Sequence, residues 1–310
     1  MIVEKIVVGS DFPLNGVVTI PEGGEGPYPA VVFVHGSGGS DMDSKVYQVR
    51  PFKDMAEGLA KHNVASIRYD KRTFVHGKRM VKTLGGELTV WEESIEDAIF
   101  AADILRKDSR IDPKRIFIAG LSMGGMLAPR IDAEGGNFAG LIIMAGTPRR
   151  LEEVMKAQAK DFLDSASGLI RWIGTKQTKK LHAKFDNIYD MSDEEAKKTP
   201  LLGKYNMVYY LKDMGKKQVR EYLEDCTKPV FVIQGDGDFH VSVEDDFNEY
   251  KRILQNHPRA AFKLYPGLNH VFMPTVYGDI KKVKKEYSKP QHVVPHVIAD
   301  IAQWIQSYER

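Results

Sequence analysis

One cysteine, Cys226, occurs in 310 residues, so no intramolecular disulfide can form and a reducing cytoplasm is the expected address. The start, MIVEKIVVGSDFPLN, lacks the basic, apolar and small-residue regions of a secretory signal. No apolar run approaches the roughly 20 residues needed to cross a bilayer, which argues against membrane residence. An excess of one charge is missing too. The 44 basic and 42 acidic side chains leave a net charge of +2, which recommends neither a nucleic-acid nor a membrane partner. Repeats, low-complexity tracts and a G-x-x-x-x-G-K-[ST] loop are absent, and HGSGGS does not complete G-x-G-x-x-G, so nucleotide chemistry is unsupported. His292 and His296 have the spacing of a zinc pair, but Pro295 intervenes and no HExxH accompanies them. The acidic run from Asp236 to Asp246 lacks the spacing of a calcium loop.

What the chain has is a set of short apolar runs within a 43% hydrophobic composition. PAVVFVHGSGG, VASIRYD, RIFIAGLSMGG, FAGLIIMAG and PVFVIQGDGD end in glycine or polar residues and show no polar alternation, as expected of strands covered on both faces. Helical spacing separates them, at about 47–63 and 91–106, and a last helix is expected at about 293–308. This alternation predicts a mostly parallel central sheet flanked by helices. Ahead of it, two β-branched stretches around a turn in IVEKIVVGSDFPLNGVVTI predict an antiparallel ribbon. From 150 to 228 no buried-strand run occurs, while charges, aromatics and helical spacing do. The expected organisation is therefore a core of 1–149 and 229–310 interrupted by a helical cap of 150–228.

GLSMG, at the end of the RIFIA strand and before the helix opened by MGGMLA, fits G-x-S-x-G, a strained strand-to-helix corner that presents Ser122. A serine hydroxyl needs a base, and the base needs an orienting partner. His270, after a strand and a Pro-Gly turn in AFKLYPGLNHVF, stands where a general base belongs. The loop after PVFVIQG offers Asp236 and Asp238; Asp238 is favoured, because Asp236 falls in the turn itself and can simply cap it. Acyl transfer also needs donors for an oxyanion, assigned here to the backbone N–H groups of Ser37, in the small-residue loop after the first buried strand, and of Met123. His35 is read chiefly as a loop anchor, although it also stands among the candidates for a pocket wall. Trp172, Tyr189, Tyr205 and Tyr209 of the insertion are the other pocket candidates, with packing against the main domain as the alternative. Asp70 and Arg72 of RYDKR either pair beneath the site or face substrate.

HGSGG, GLSMGG, QGDGDFHV and GLNHVF resemble the α/β-hydrolase superfamily, and more narrowly bacterial carboxylesterases of the serine-aminopeptidase-like and dienelactone-hydrolase-like branch. The resemblance spans 1–149 and 229–310 and is weakest across the insertion. It implies an α/β-hydrolase fold with a helical cap. By matching position, Ser122 is the nucleophile, His270 the base and Asp238 the orienting acid, with Ser37 and Met123 as backbone donors. Dienelactone hydrolases of the aromatic-degradation type commonly carry a cysteine nucleophile; the serine here favours esters over lactones. The activity so implied is hydrolysis of small carboxylic esters, hydroxycinnamoyl or sugar acyl esters among them, without metal or organic cofactor. A peptidase or thioesterase with the same triad is the alternative, and a vestigial binding module the non-enzyme alternative. Neither a monomer nor a homodimer is favoured.

Overall fold

The computed structural model describes residues 1–164, 167–202 and 206–308. Ten strands occur among them: β1 (Ile2–Val8), β2 (Leu14–Ile20), β3 (Tyr28–Val34), β4 (Ala65–Tyr69), β5 (Ile111–Leu121), β6 (Leu141–Met144), β7 (Pro200–Leu202), β8 (Asn206–Met207), β9 (Val230–Gly235) and β10 (Ala260–Tyr265). Eight of them form one sheet in the order β1-β2-β4-β3-β5-β6-β9-β10. From β4 to β10 every neighbouring pair is parallel, whereas β1 pairs antiparallel with β2 and β2 antiparallel with β4. The expected ribbon is thus β1 and β2, built into one end of the sheet.

Burial explains the composition of each strand. Every residue of β6 and β9 is buried because helices cover both faces, and Gln234 is their one polar side chain. β4 is buried too but, contrary to the expectation for VASIRYD, alternates, with Ser66 and Arg68 inside and Arg68 donating to Thr19 and Asp43. β1 lies at the edge and alternates, with Val3 and Val7 exposed. On one face Val31, Phe33, Phe117, Ile142, Phe231 and Ile233 pack with the helices Pro51–Lys61 and Pro295–Gln306, which contribute Phe52, Met55, Leu59, Ile298 and Ile301. Both helices start with proline in the first turn, where its missing N–H costs no hydrogen bond. Phe231 stacks on Trp304, ring centroids 5.5 Å apart, which ties the last helix to the sheet.

Two compact units divide the chain. The first holds 1–76, 94–148 and 219–310, including the whole large sheet; the second holds 77–93 and 149–218. The second unit is mostly helical, with Leu151–Asp164, Gly168–Asp186, Asp193–Lys198 and Val208–Gly215, and its core is Phe185, Ile188, Ala196, Leu201, Val208 and Leu211. Its bounds differ from the sequence-based 150–228: residues 77–93 join it and 219–228 pack with the sheet unit. The physical reason lies in long-range contacts, such as Lys197 Nζ to the Glu87 carboxylate at 2.9 Å and the Tyr210 hydroxyl to Glu93. Among the described residues no helix is long and apolar enough to cross a membrane.

Candidate active site

The parallel strands put the carboxyl ends of β5, β6, β9 and β10 along one edge. Leu121 pairs with Met144, Met144 with Ile233, and Ile233 with Lys263. Ser122 follows Leu121 directly, Asp238 lies three residues beyond the end of β9, and His270 five beyond the end of β10. With strands roughly 4.8 Å apart, β5 and β9 stand about 10 Å apart at the backbone, a span that side chains and short loops can close.

Ser122 sits at φ 58° and ψ −119°, between β5 and the helix Met123–Ile131. A positive φ is unfavourable for a residue with a Cβ, by about 1–3 kcal/mol, and survives only where the surroundings over-determine it. Here they do. A Cβ at Gly120 would fall 2.1 Å from the Gly124 carbonyl oxygen, and one at Gly124 would fall 2.3 Å from that of Val34. Only glycine at both positions lets the strand end, the helix start and the end of β3 touch through bare backbone. The Ser122 N–H donates to Met144 O at 2.8 Å, which fastens the corner to β6. Met123 is the first residue of the helix, so its N–H belongs to the positive end of the helix dipole.

His270 and Asp238 meet. The ring Nδ1 lies 2.8 Å from Asp238 Oδ2, and a carboxylate there can only accept, so Nδ1 is the donor. Asp238 Oδ1 accepts from the backbone N–H groups of His240 and Val241 at 2.8 and 3.1 Å, and the carboxylate is fully buried. Asp236 turns elsewhere: its Oδ1 accepts from Gly267 N–H at 2.6 Å and closes the turn after β10. The histidine loop is held from beneath by Asn269, whose Oδ1 accepts from Val271 and Met273 N–H at 3.1 and 3.2 Å, and by buried Glu286, which accepts from Val276 and Tyr277 N–H.

The loop after β3 lies against the serine. A Cβ at Gly36 would stand 3.2 Å from Ser122 Cβ and 3.7 Å from its Oγ, so the Gly36–Ser37 peptide borders the Ser122 corner. His35, expected as an anchor and offered as a pocket wall, is an anchor: it is 2% exposed, donates from Nε2 to Asp41 O at 3.0 Å, and packs beside Phe52 and Tyr69. Burial, then the neighbouring Lys71 charge, pushes its pKa down to about 3.

That depression has a consequence for stability. Between about pH 6.5 and 3 the unfolded chain binds a proton at position 35 that the folded chain refuses, so stability is full above pH 6.5 and falls on acidification. The slope for one proton is about 1.4 kcal/mol per pH unit. His35→Phe is expected to flatten the dependence of the urea midpoint on pH by about one proton in this window; an unchanged slope contradicts the assignment.

Of the remaining pocket candidates, Trp172 is exposed, with Lys176 Nζ 4.7 Å from its ring centroid. Tyr189 is fixed inside the second unit, its hydroxyl donating to Glu152 Oε1 at 2.5 Å and the Arg150 guanidinium over its ring. Tyr209 packs against the core of that unit with Lys197 over its ring. Tyr205 lies outside the described residues. Asp70 and Arg72 face inward: Asp70 Oδ1 accepts from Met42 N–H at 2.8 Å, and Arg72 pairs with buried Asp97 and with Glu96.

Two residues near the site were not singled out from sequence. His240 places its ring 4.8 Å from that of His270, and burial, followed by the His270 charge, pushes its pKa down to about 4. Lys71, between Asp70 and Arg72, is 2% exposed and donates from Nζ to the Gly36 carbonyl at 2.8 Å. A lysine flanked by Asp and Arg reads as solvated surface; only the strand end preceding it hints at burial.

The matching family model is that of the serine aminopeptidases, S33, over residues 26–274. Esterase EstD of Thermotoga maritima is 35% identical over 298 residues, covering 95% of this chain and 66% of that protein, so the chain spans just under two thirds of its relative's length. Among solved structures, Est1E from Butyrivibrio proteoclasticus superposes with a TM-score of 0.57 at 15% identity, covering 98% of this chain and 99% of that one. An esterase from Pyrococcus furiosus gives 0.57 at 15% identity, over 98% and 90%. A puromycin-hydrolysing peptidase of Mycobacterium tuberculosis gives 0.58 at 17% identity, over 99% and 39%. At such identities these structures speak for the shared fold alone.

Proposed function

The chain belongs to the serine aminopeptidase S33 family of α/β-hydrolases, and from that premise we propose that it is a serine carboxylesterase whose triad is Ser122, His270 and Asp238. The observation that carries the reading is the His270–Asp238 pair, 2.8 Å, on the sheet edge that also bears Ser122 in its strained corner. The name of the Thermotoga relative, an esterase, favours esters over amides.

In the proposed reaction Ser122 Oγ attacks the ester carbonyl while His270 Nε2 takes its proton. Asp238 holds the imidazole by Nδ1 and stabilises the imidazolium that forms. The tetrahedral oxyanion is met by the N–H groups of Ser37 and Met123, the second at a helix N-terminus. Collapse breaks the C–O bond, and the Nε2 proton leaves with the alcohol. Water, deprotonated by the same nitrogen, then attacks the acyl-serine and releases the acid. Small and short-chain acyl groups, hydroxycinnamoyl and sugar acyl esters are the proposed substrates.

The test is a leaving-group panel. Wild-type protein is expected to release nitrophenol from p-nitrophenyl acetate and butyrate with kcat/KM at least about 100-fold above that for aminoacyl p-nitroanilides and acyl thioesters of matched size. Faster cleavage of the anilides would replace the esterase reading by a peptidase one.

A further inference from the structure

We infer that Lys71 is a positioning residue for the oxyanion site, which it serves by fixing and polarising the Gly36–Ser37 peptide. The inference rests on the esterase reading and adds to it a group outside the triad and the two backbone donors. Lys71 follows β4, the strand beside β3, and its side chain crosses to the loop that leaves β3. Its Nζ donates to Gly36 O at 2.8 Å, and its own backbone N–H donates to Ser40 O at 2.9 Å, so one residue ties the loop at two points.

The Gly36 carbonyl and the Ser37 N–H are two ends of one peptide unit. That unit is trans, since among the described residues the cis bond is Gly26–Pro27, and in a trans peptide C=O and N–H point opposite ways. Turning the carbonyl to Lys71 therefore turns the Ser37 N–H away from it. A Cβ added to Gly36 would lie 3.2 Å from Ser122 Cβ and 3.7 Å from its Oγ, so this peptide borders the Ser122 side chain. The bond to an ammonium draws electron density toward the Gly36 oxygen and makes the opposite N–H a stronger donor, as hydrogen bonds to charged groups do when they polarise a chain. Lys71 is 2% exposed, so its bond to the Gly36 carbonyl is screened far less than one in water. Asp70 supports the same loop by accepting from Met42 N–H, whereas Arg72 is engaged elsewhere, by Asp97 and Glu96.

The test compares wild type, Lys71→Met, Lys71→Gln and Ser122→Ala. With p-nitrophenyl butyrate, Lys71→Met is expected to lose about 10–100-fold in kcat, less than deletion of a whole oxyanion donor, with KM changed less than about threefold. Phosphonylation by a fluorophosphonate, which places a P–O oxygen in the same site, should slow by the same factor. Lys71→Gln, able to donate to Gly36 O without a charge, should fall between the two. The acyl-enzyme trapped at low pH should show its carbonyl stretch at higher frequency in Lys71→Met than in wild type, a shift that a merely structural role would not produce. Should Lys71→Met fail to fold, Lys71→Gln carries the same readouts. Wild-type kcat and phosphonylation rate in a folded Lys71 variant, or a loss confined to the active fraction with an unshifted carbonyl band, overturns the inference. Undiminished turnover by Ser122→Ala overturns the esterase reading itself, whereas an inert Ser122→Ala beside an unaffected Lys71→Met overturns the role of Lys71 alone.

Discussion

Ser122→Ala is expected to hydrolyse nitrophenyl esters about 10⁴–10⁶ times more slowly than wild type, with its urea midpoint lowered little or raised. In the proposed reaction the hydroxyl is the atom that bonds to the acyl carbon, so nothing in the neighbourhood substitutes for it. Stability should not fall, because the side chain is held at φ 58° for exposure and not for packing, and alanine fits the same backbone with one atom fewer. The residual rate would come from the oxyanion donors and from binding, which act on water as they act on serine. Steady-state kinetics on protein freed of wild-type contamination checks the expectation. A loss of less than about tenfold would place the nucleophile elsewhere.

Asp238→Asn should cost about 10⁴ in kcat with KM nearly unchanged, a magnitude set by the same change in other serine hydrolases. The direction follows from the hydrogen bonds at this carboxylate. Oδ1 accepts from two backbone N–H groups, His240 and Val241, and neither can be satisfied by an amide nitrogen. The new side chain must therefore keep its oxygen there and turn its NH₂ toward His270 Nδ1. Nδ1 then has to accept, its proton moves to Nε2, and the nitrogen that should take the Ser122 proton is already protonated. Asp236→Asn, by contrast, touches only the turn at Gly267 and should leave kcat within about twofold. Equal losses in the two variants would contradict the pairing.

The reach of the sequence differs from element to element, for physical reasons. Strands covered on both faces must be continuously apolar, so β3, β5, β6 and β9 stand out from polar surroundings, and so does the corner at Ser122, where glycine is demanded on both sides by backbone contact. Asp238 and Asp236 could be ranked because one lies in a turn and the other beyond it. The helix Arg72–Leu84 carried no comparable signal: Phe74 and Val75 on it are exposed, so its apolar residues do not mark a buried stripe. Nor could spacing reveal that 77–93 belongs with 149–218, since the contacts that join them, Glu87 to Lys197 and Glu93 to Tyr210, link residues more than a hundred positions apart. Lys71 was hidden for a related reason. What makes it interesting is a carbonyl on a loop 35 residues earlier, and nothing local to DKR announces a buried ammonium.

Covalent capture tests the central claim most directly. A fluorophosphonate incubated with folded protein should add one phosphonyl group per chain, with the adduct on Ser122 by peptide mapping, and His270→Ala should slow its formation by about 10³-fold or more. Stoichiometric labelling at another residue, or no labelling of a protein that cleaves esters, would contradict the assignment of this corner as the reacting site.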